Sequence, residues 1–351
     1  MTWLAARARS AIGLSLAALA CIGLNLPVAQ ARAADTQAAE TQSPHILLQR
    51  MNDAFVNLSY DGLFSYFNGT EMASLRVVHK VIDGVQRERL VHLNGAPREI
   101  IRHGDDVSCI VMPGDDLITL ENSIPAGPFA RAFVGQFDRI SDAYLVGEFG
   151  EGRVAGRPAT RIAISPKDNH RYGYRLWLDQ ETALLLRSEL VDHEGNKLEI
   201  FMFSQLSLGD AVQDSDLEPE DAQGSMVSYL TLQPADSQVL TLPIEADKSA
   251  QWATQWLPAG FKMATADLRR KPASGQNVRS LMYTDGLAAF SIFIEPMPER
   301  GAASMVSQNG ATVAVTHRVD GKNGYFLVTL VGEIPVTTAQ EIIASVYQKP
   351  S

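Results

Sequence analysis

Apolar and polar residues alternate at a spacing of two through most of residues 60–206, the period of half-buried strands. The runs at 60–67, 74–82, 85–93 and 98–102 read as successive strands, and 106–112 continues the series. Asn68-Gly69, Asp83-Gly84 and Asn94-Gly95 separate the first four, and such pairs accept the positive φ of tight hairpins. Strands resume near Tyr144 and Arg153. Residues 172–179, 183–191 and 197–206 then form a meander, linked by 179–182 and 192–196. Two stretches switch to the helical period. Pro44 opens a helix with Leu47, Met51, Ala54 or Phe55, and Leu58 along one stripe, and Phe129, Ala132, Phe133 and Phe137 predict another over 125–137. This many antiparallel strands without crossover helices predicts a mainly β domain over 43–206, an unclosed antiparallel barrel or one large curved sheet with helices.

The pattern changes at residues 207–243. Asp210, Asp214, Asp216, Glu218, Glu220 and Asp221 make this stretch acidic, and Pro219 and Pro234 interrupt it, so it reads as a linker with a few ordered turns. Residues 244–351 form a second, smaller α+β unit. A short helix is expected over 247–257, with Trp252 and Trp256 spaced i,i+4. Strands follow at 261–268, 278–283 and 288–295, with Asp285-Gly286 as a hairpin signal. The runs 312–319 and 325–332 form another hairpin, closed by 320–324. Pro335 introduces a terminal helix, where Thr338 and Glu341 fit a capping box and Ile342, Ile343 and Val346 supply the apolar side.

The chain has 351 residues, 46% of them hydrophobic, enough for two cores. Residues 1–33 stand apart. Arg7 and Arg9 precede an uncharged apolar run over 11–24, and Ala29-Gln30-Ala31 offers a small-x-small cleavage site, with Ala31-Arg32-Ala33 as the other register. That run falls short of the roughly 20 residues a spanning helix needs. The reading is a cleaved export signal and a soluble, exported product. An uncleaved anchor and a lipidated Cys21 are the other readings. Loss of Arg7 and Arg9 moves the formal charge from −10 to −12, a poor balance for nucleic acid. Cleavage leaves Cys109 as the sole cysteine, so no internal disulfide forms; its setting in Ser108-Cys109-Ile110-Val111 is that of a strand thiol, and its role stays open.

Catalytic patterns are missing. The chain holds no Gly-x-Ser-x-Gly, His-Glu-x-x-His, P-loop or Gly-x-Gly-x-x-Gly, and its seven histidines do not fall at metal-ligand spacing. No cofactor, metal or enzymatic activity is expected. Asp105-Asp106 and Asp115-Asp116 fit turns flanking a strand. His79 and His92 lie on neighbouring strands, where an approach between them competes with simple core or solvated roles.

Binding features are stronger. Phe64, Tyr66, Leu75, Val77, Tyr144, Phe149, Tyr174, Leu176, Trp177, Leu178, Phe201 and Phe203 are more than one sheet face readily hides. They predict either an apolar cavity for acyl chains or an apolar peptide, or a packed core. Nearby stand Arg76, Arg87, Arg89, Arg98 and Arg102, a candidate lipid or anion site at surface or rim positions. Ion pairs with Glu88 and Glu99 are the competing role. Period two places Arg87, Arg89, Val91 and Leu93 on one face, and Glu88, Leu90 and His92 on the other.

Several segments resemble the RseB/MucB family of periplasmic regulators. They are Tyr60-Asp61-Gly62-Leu63-Phe64, Leu75-Arg76-Val77-Val78-His79, the run from Glu88 to Ile100, Tyr174-Arg175-Leu176-Trp177-Leu178-Asp179, Leu257-Pro258-Ala259-Gly260-Phe261, the run from Tyr283 to Ala288, Phe290-Ser291, and Val331-Gly332-Glu333-Ile334-Pro335. Their order covers nearly the whole chain after the leader. The resemblance implies a first domain similar to lipoprotein carriers of the LolA type and a small α+β second domain. It also implies a partner, the periplasmic part of a membrane-spanning anti-sigma factor of the RseA/MucA type. The family shields that partner from site-one proteolysis, and lipopolysaccharide or lipid acyl chains signal release. A periplasmic lipid or lipoprotein carrier is the alternative function. Self-association and the partner-contacting residues are left open.

Overall fold

The computed structural model describes residues 43–96, 98–104, 106–111, 140, 142–219, 228–232, 240–242, 252–270, 277–297, 304–321 and 324–349. The leader, the helix expected over 125–137 and the Asp115-Asp116 pair lie outside them.

Helix α1 (Pro44–Asn57) starts with proline in its first turn, where the missing N–H costs nothing, and buries Leu48, Met51 and Ala54. Ten strands follow: β1 (Tyr60–Phe67), β2 (Met72–Ile82), β3 (Val85–His92), β4 (Arg98–His103), β5 (Asp106–Val111), β6 (Tyr144–Val154), β7 (Arg157–Pro166), β8 (Gly173–Asp179), β9 (Leu185–Val191) and β10 (Lys197–Leu208). With β11 (Ser228–Leu232) they form an eleven-stranded sheet among the described residues, ordered β11-β5-β4-β3-β2-β1-β10-β9-β8-β7-β6. Each pairing is antiparallel, and β6 and β11 lie at opposite ends of the order, as in an open barrel. Asp83 and Gly84 both take positive φ in the β2–β3 turn, as an Asp-Gly hairpin requires.

One face of this sheet and α1 enclose the main core. Phe64, Phe201 and Phe203 pack ring to ring at 4.9–5.8 Å, beside Leu75, Val77, Leu90, Ile100, Ile162, Ile164 and Leu176. Most of the aromatic set named from sequence lies in this packed core. Phe149 and Trp177 do not: alternation along the strands turns them to the other face.

Residues 207–219 are ordered against that other face. Short 3-10 turns at Gly209–Ala211 and Asp214–Leu217 seat Val212 and Leu217 on Val78 and Ile82. Residues 209–217 of the acidic stretch are therefore part of the domain's covering. Farther on, β11 extends the first sheet and β12 (Leu240–Leu242) begins the second, so the chain passes between sheets after Leu232.

The second sheet holds β14 (Lys262–Arg270), β15 (Asn277–Thr284), β16 (Ala289–Met297), β17 (Met305–Asn309), β18 (Thr312–Gly321) and β19 (Gly324–Gly332), in the order β12-β14-β15-β16-β19-β18-β17. Helix α2 (Val336–Ala344) buries Thr338, Ala339, Ile342 and Ile343 against it. The expected capping box is corrected: the helix begins after Pro335, which places Thr338 inside the first turn and buries it. The helix expected around Trp252 is corrected as well. Trp252–Thr254 is strand β13, paired with β20 (Val346–Gln348). Its two tryptophans serve different partners, Trp252 packing on Phe326 at 4.8 Å and Trp256 on His170 at 5.1 Å, so their spacing is not that of one helical stripe.

Candidate functional site

A buried polar anchor joins the two sheets. Arg171, on the loop before β8, is fully buried; its Nη1 donates to Asp285 Oδ2 at 2.8 Å, Nη2 to Ala259 O at 2.7 Å and Nε to Asp168 Oδ1 at 3.1 Å. Tyr144 OH donates to the same Asp285 oxygen at 3.1 Å, while Asp285 Oδ1 accepts the Leu287 and Ala288 amides. Asp285 thus closes its own hairpin with one oxygen and holds the other sheet with the second. Every edge of the guanidinium has an acceptor, the condition under which a buried ion pair is tolerated. Tyr172 OH donates to Ile334 O at 3.2 Å nearby.

A second contact lies at the β17–β18 turn. Gly310 has φ +57, and a Cβ there would stand 2.1 Å from Asn68 O, so only glycine permits this approach. Ala311 N donates to Glu199 Oε1 at 3.3 Å, and Tyr66 OH donates to Glu199 Oε2 at 2.9 Å. Leu287 and Ala311 from the second sheet's turns enter the first sheet's core.

Beside this second contact opens a cleft of about 770 Å³ with walls from both sheets, including Tyr66, His92, Arg98 and Glu199 from one and Asn309, Thr312 and Glu333 from the other. Of its three carboxylates, Glu71, Glu199 and Glu333, the last two act on each other: the Glu199 charge raises Glu333. Burial holds Glu199 above the usual carboxylate range, against the Tyr66 and Ala311 hydrogen bonds. Glu333 is solvent-accessible at the mouth; crowding walls first, and the Glu199 charge second, push it up to about 7. His92 is held below its ordinary range by burial and by Arg98. Among the described residues no three His, Cys, Asp or Glu side chains converge as a metal site.

The five arginines singled out from sequence are divided between two faces. Arg76, Arg87 and Arg89 share the face covered by the 3-10 turns; Arg98 and Arg102 share the core face with Leu90 and Ile100. Arg76 forks onto Asp61 and reaches Asp216 at 3.0 Å. Arg89 forks onto Glu99 and also donates to Asp216 O. Arg102 stands 3.9 Å from Glu88. Arg98 alone of the five lines the cleft. The expected rim position of Arg89 is corrected: it is 5% exposed, because the acidic turns lie over it. His79 and His92 do not meet. His79 stacks on Tyr60 at 4.9 Å, opposite Glu88, whereas His92 pairs with Leu75, four residues along β2 from His79. Sequence reasoning named Asp285-Gly286 only as a hairpin and passed over Arg171, Glu199 and the partnering role of Glu333. Isolated charged residues carry no periodic signal, so nothing in the pattern marked them.

Fold and cleft together define a two-part protein with a large open sheet, a small α+β sheet and a cleft walled by both. The MucB/RseB N-terminal domain model matches residues 43–221, and the MucB/RseB C-terminal domain model matches residues 246–347. The chain belongs to the MucB/RseB family. The sigma factor AlgU regulatory protein MucB of Pseudomonas aeruginosa is 35% identical over 314 residues, covering 89% of this chain and 92% of that protein. The sigma-E factor regulatory protein RseB of Escherichia coli K12 is 28% identical over 312 residues, covering 88% and 92%. The crystal structure of MucB in complex with MucA(peri) aligns with a TM-score of 0.70 at 31% identity, over 88% of this chain and 100% of that one. A MucA/MucB complex from Pseudomonas aeruginosa aligns at 0.71 with 32% identity.

Proposed function

We propose that this chain is a periplasmic negative regulator that binds the periplasmic part of a membrane-spanning anti-sigma factor and shields it from site-one proteolysis. The observation that carries this reading is the likeness to MucB in its complex with MucA(peri), which spans both sheets and 88% of this chain. Residues 1–33 supply the export signal, with cleavage near Ala31. A cleft with walls on both sheets suits a partner that bridges them. Such a partner favours the arrangement in which both walls are in place, and a lipid releases it only by preferring the partner-free arrangement. Of the five arginines, Arg98 is the one that lines the cleft, which places it to meet a lipid phosphate there.

The test is calorimetric titration of the chain with the anti-sigma periplasmic fragment of the same organism, followed by digestion of that fragment with its site-one protease. Saturable binding and slowed cleavage are expected. A fragment that neither binds nor gains protection overturns the reading. For release, lipopolysaccharide is expected to displace the fragment from wild type at a lower concentration than from Arg98→Ala.

A further inference from the structure

The face of the first sheet that carries Phe149 and Trp177 holds an arrangement that the cleft does not use. Across β6, β7, β8, β9 and β10 the register brings Phe149, Arg161, Trp177, Arg187 and Met202 into one row. Arg161 Cζ lies 4.1 Å from the Phe149 ring centroid and 5.6 Å from that of Trp177, and Arg187 Cζ lies 4.7 Å from Trp177 on its other side. The row is a ladder of alternating rings and guanidinium groups, each cation held by a π face. Gly152 makes room for it, since a Cβ there would stand 2.9 Å from the indole.

A second row lies beside the first. Glu189 is buried and meets Arg175, Arg187 and Lys197. Together the rows line a shallow groove of about 450 Å³ with Arg161, Arg175, Arg187 and Lys197 set against the single carboxylate of Glu189. Three positive charges are therefore in excess, on a chain whose formal charge is −10. Among the described residues no carboxylate pairs with Arg161, and the buried Nε atoms of Arg161 and Arg187 have no acceptor. Arg175 and Lys197 each leave 42% of the side chain in water.

We propose that this ladder is a docking surface for an acidic segment of a protein partner, separate from the cleft. The charge excess selects carboxylates. Arginine and tryptophan on a rigid sheet are the residue types that dominate protein interfaces, and their fixed orientation lowers the ordering cost of binding. A shallow, open groove suits an extended contact better than an enclosed small ion. An anionic bilayer fits less well. Trp177 is flanked by two guanidinium groups, which keeps its ring from inserting among acyl chains, and the acidic remainder of the chain is repelled by such a surface.

The test uses a fluorescein-labelled decaglutamate peptide titrated into the full chain, followed by anisotropy and by Trp177 emission. Saturable binding is expected, weakened at least tenfold in the Arg161→Gln/Arg175→Gln double variant with an unchanged melting temperature. The off-patch Lys262→Gln variant is expected to bind as wild type does. Trp177→Phe is expected to abolish the emission change while keeping the fold. Absent binding, equal weakening by Lys262→Gln, or undiminished binding by the double variant overturns the proposal. So does binding to phosphatidylglycerol vesicles that the double variant loses while decaglutamate binds neither protein, which assigns the patch to a membrane surface. A wild-type dimer that the double variant dissociates, with no peptide binding, also overturns it and assigns the face to a second copy.

Discussion

Arg171 and Asp285 show how much of this protein rests on single polar groups. Neither is exposed, and each is the other's charge partner across the two sheets. Removing Arg171 strands Asp285, and removing Asp285 leaves the buried Arg171 with the partly exposed Asp168 as its one remaining charge partner; breaking such a buried pair typically costs about 3–5 kcal/mol. Asp285→Ala is expected to lose stability of that order in urea unfolding, and an Arg171→Met/Asp285→Leu double variant is expected to lose less than Asp285→Ala alone. A larger loss in the double variant would mean that packing, not charge, holds this point. Arg89 behaves similarly on a smaller scale. Its removal strands Glu99, itself largely covered, and Arg89→Ala is expected to cost about 1–3 kcal/mol, read from the same unfolding curves. A true rim arginine would cost far less.

The elements of the first sheet were legible because period two and hairpin residues act over a few positions. Residues 60–67 form a strand with the boundaries read from sequence, and Asp83-Gly84 closes the β2–β3 turn. The acidic stretch after β10 was only half legible. Its charge and prolines resemble a linker, but Asp214 and Asp216 neutralise Lys80 and Arg76, and Val212 and Leu217 cover Val78. That pairing joins residues more than a hundred positions apart, beyond any local window. Leu217→Ala is expected to cost about 2 kcal/mol, the low end for a buried leucine, since its cluster is small. Limited proteolysis is expected to cut within residues 209–217 of this variant before any site in β1–β10; unchanged resistance there would show that the turns are held by their ion pairs alone.

At the scale of the molecule, the cleft makes the junction between the sheets sensitive to pH. Glu199 and Glu333 both sit above the ordinary carboxylate value near 4.5, so the folded junction holds their protons more tightly than the unfolded chain does. That contribution is fully present below about 4.5 and is lost as pH rises through about 7. Tyr66, His92, Arg98 and Glu71 face the same cleft. His92, held below its usual range, works in the opposite direction and titrates at lower pH. The urea midpoint of wild type is expected to fall between pH 5 and pH 8, and the fall is expected to be smaller in Glu333→Gln. Parallel pH profiles for the two proteins would place the effect elsewhere.

The sequence by itself determined most strands of the two sheets and their hairpins, the division into a large β part and a small α+β part, and the family. Each of these is written in neighbouring residues or in motifs that keep their order along the chain. Tertiary structure decided which side chains meet. It divided five arginines between two faces, since one step along a strand reverses a side chain's direction. It brought Arg171 to Asp285, and Glu199 to the Gly310 turn, over separations of more than a hundred residues. It also lined up Arg161, Trp177 and Arg187 from three strands whose register no single segment specifies. Hydrophobic period is a local property and survives in one dimension; charge pairing and face-to-face contact depend on register and on the packing of distant elements, which only the folded chain fixes.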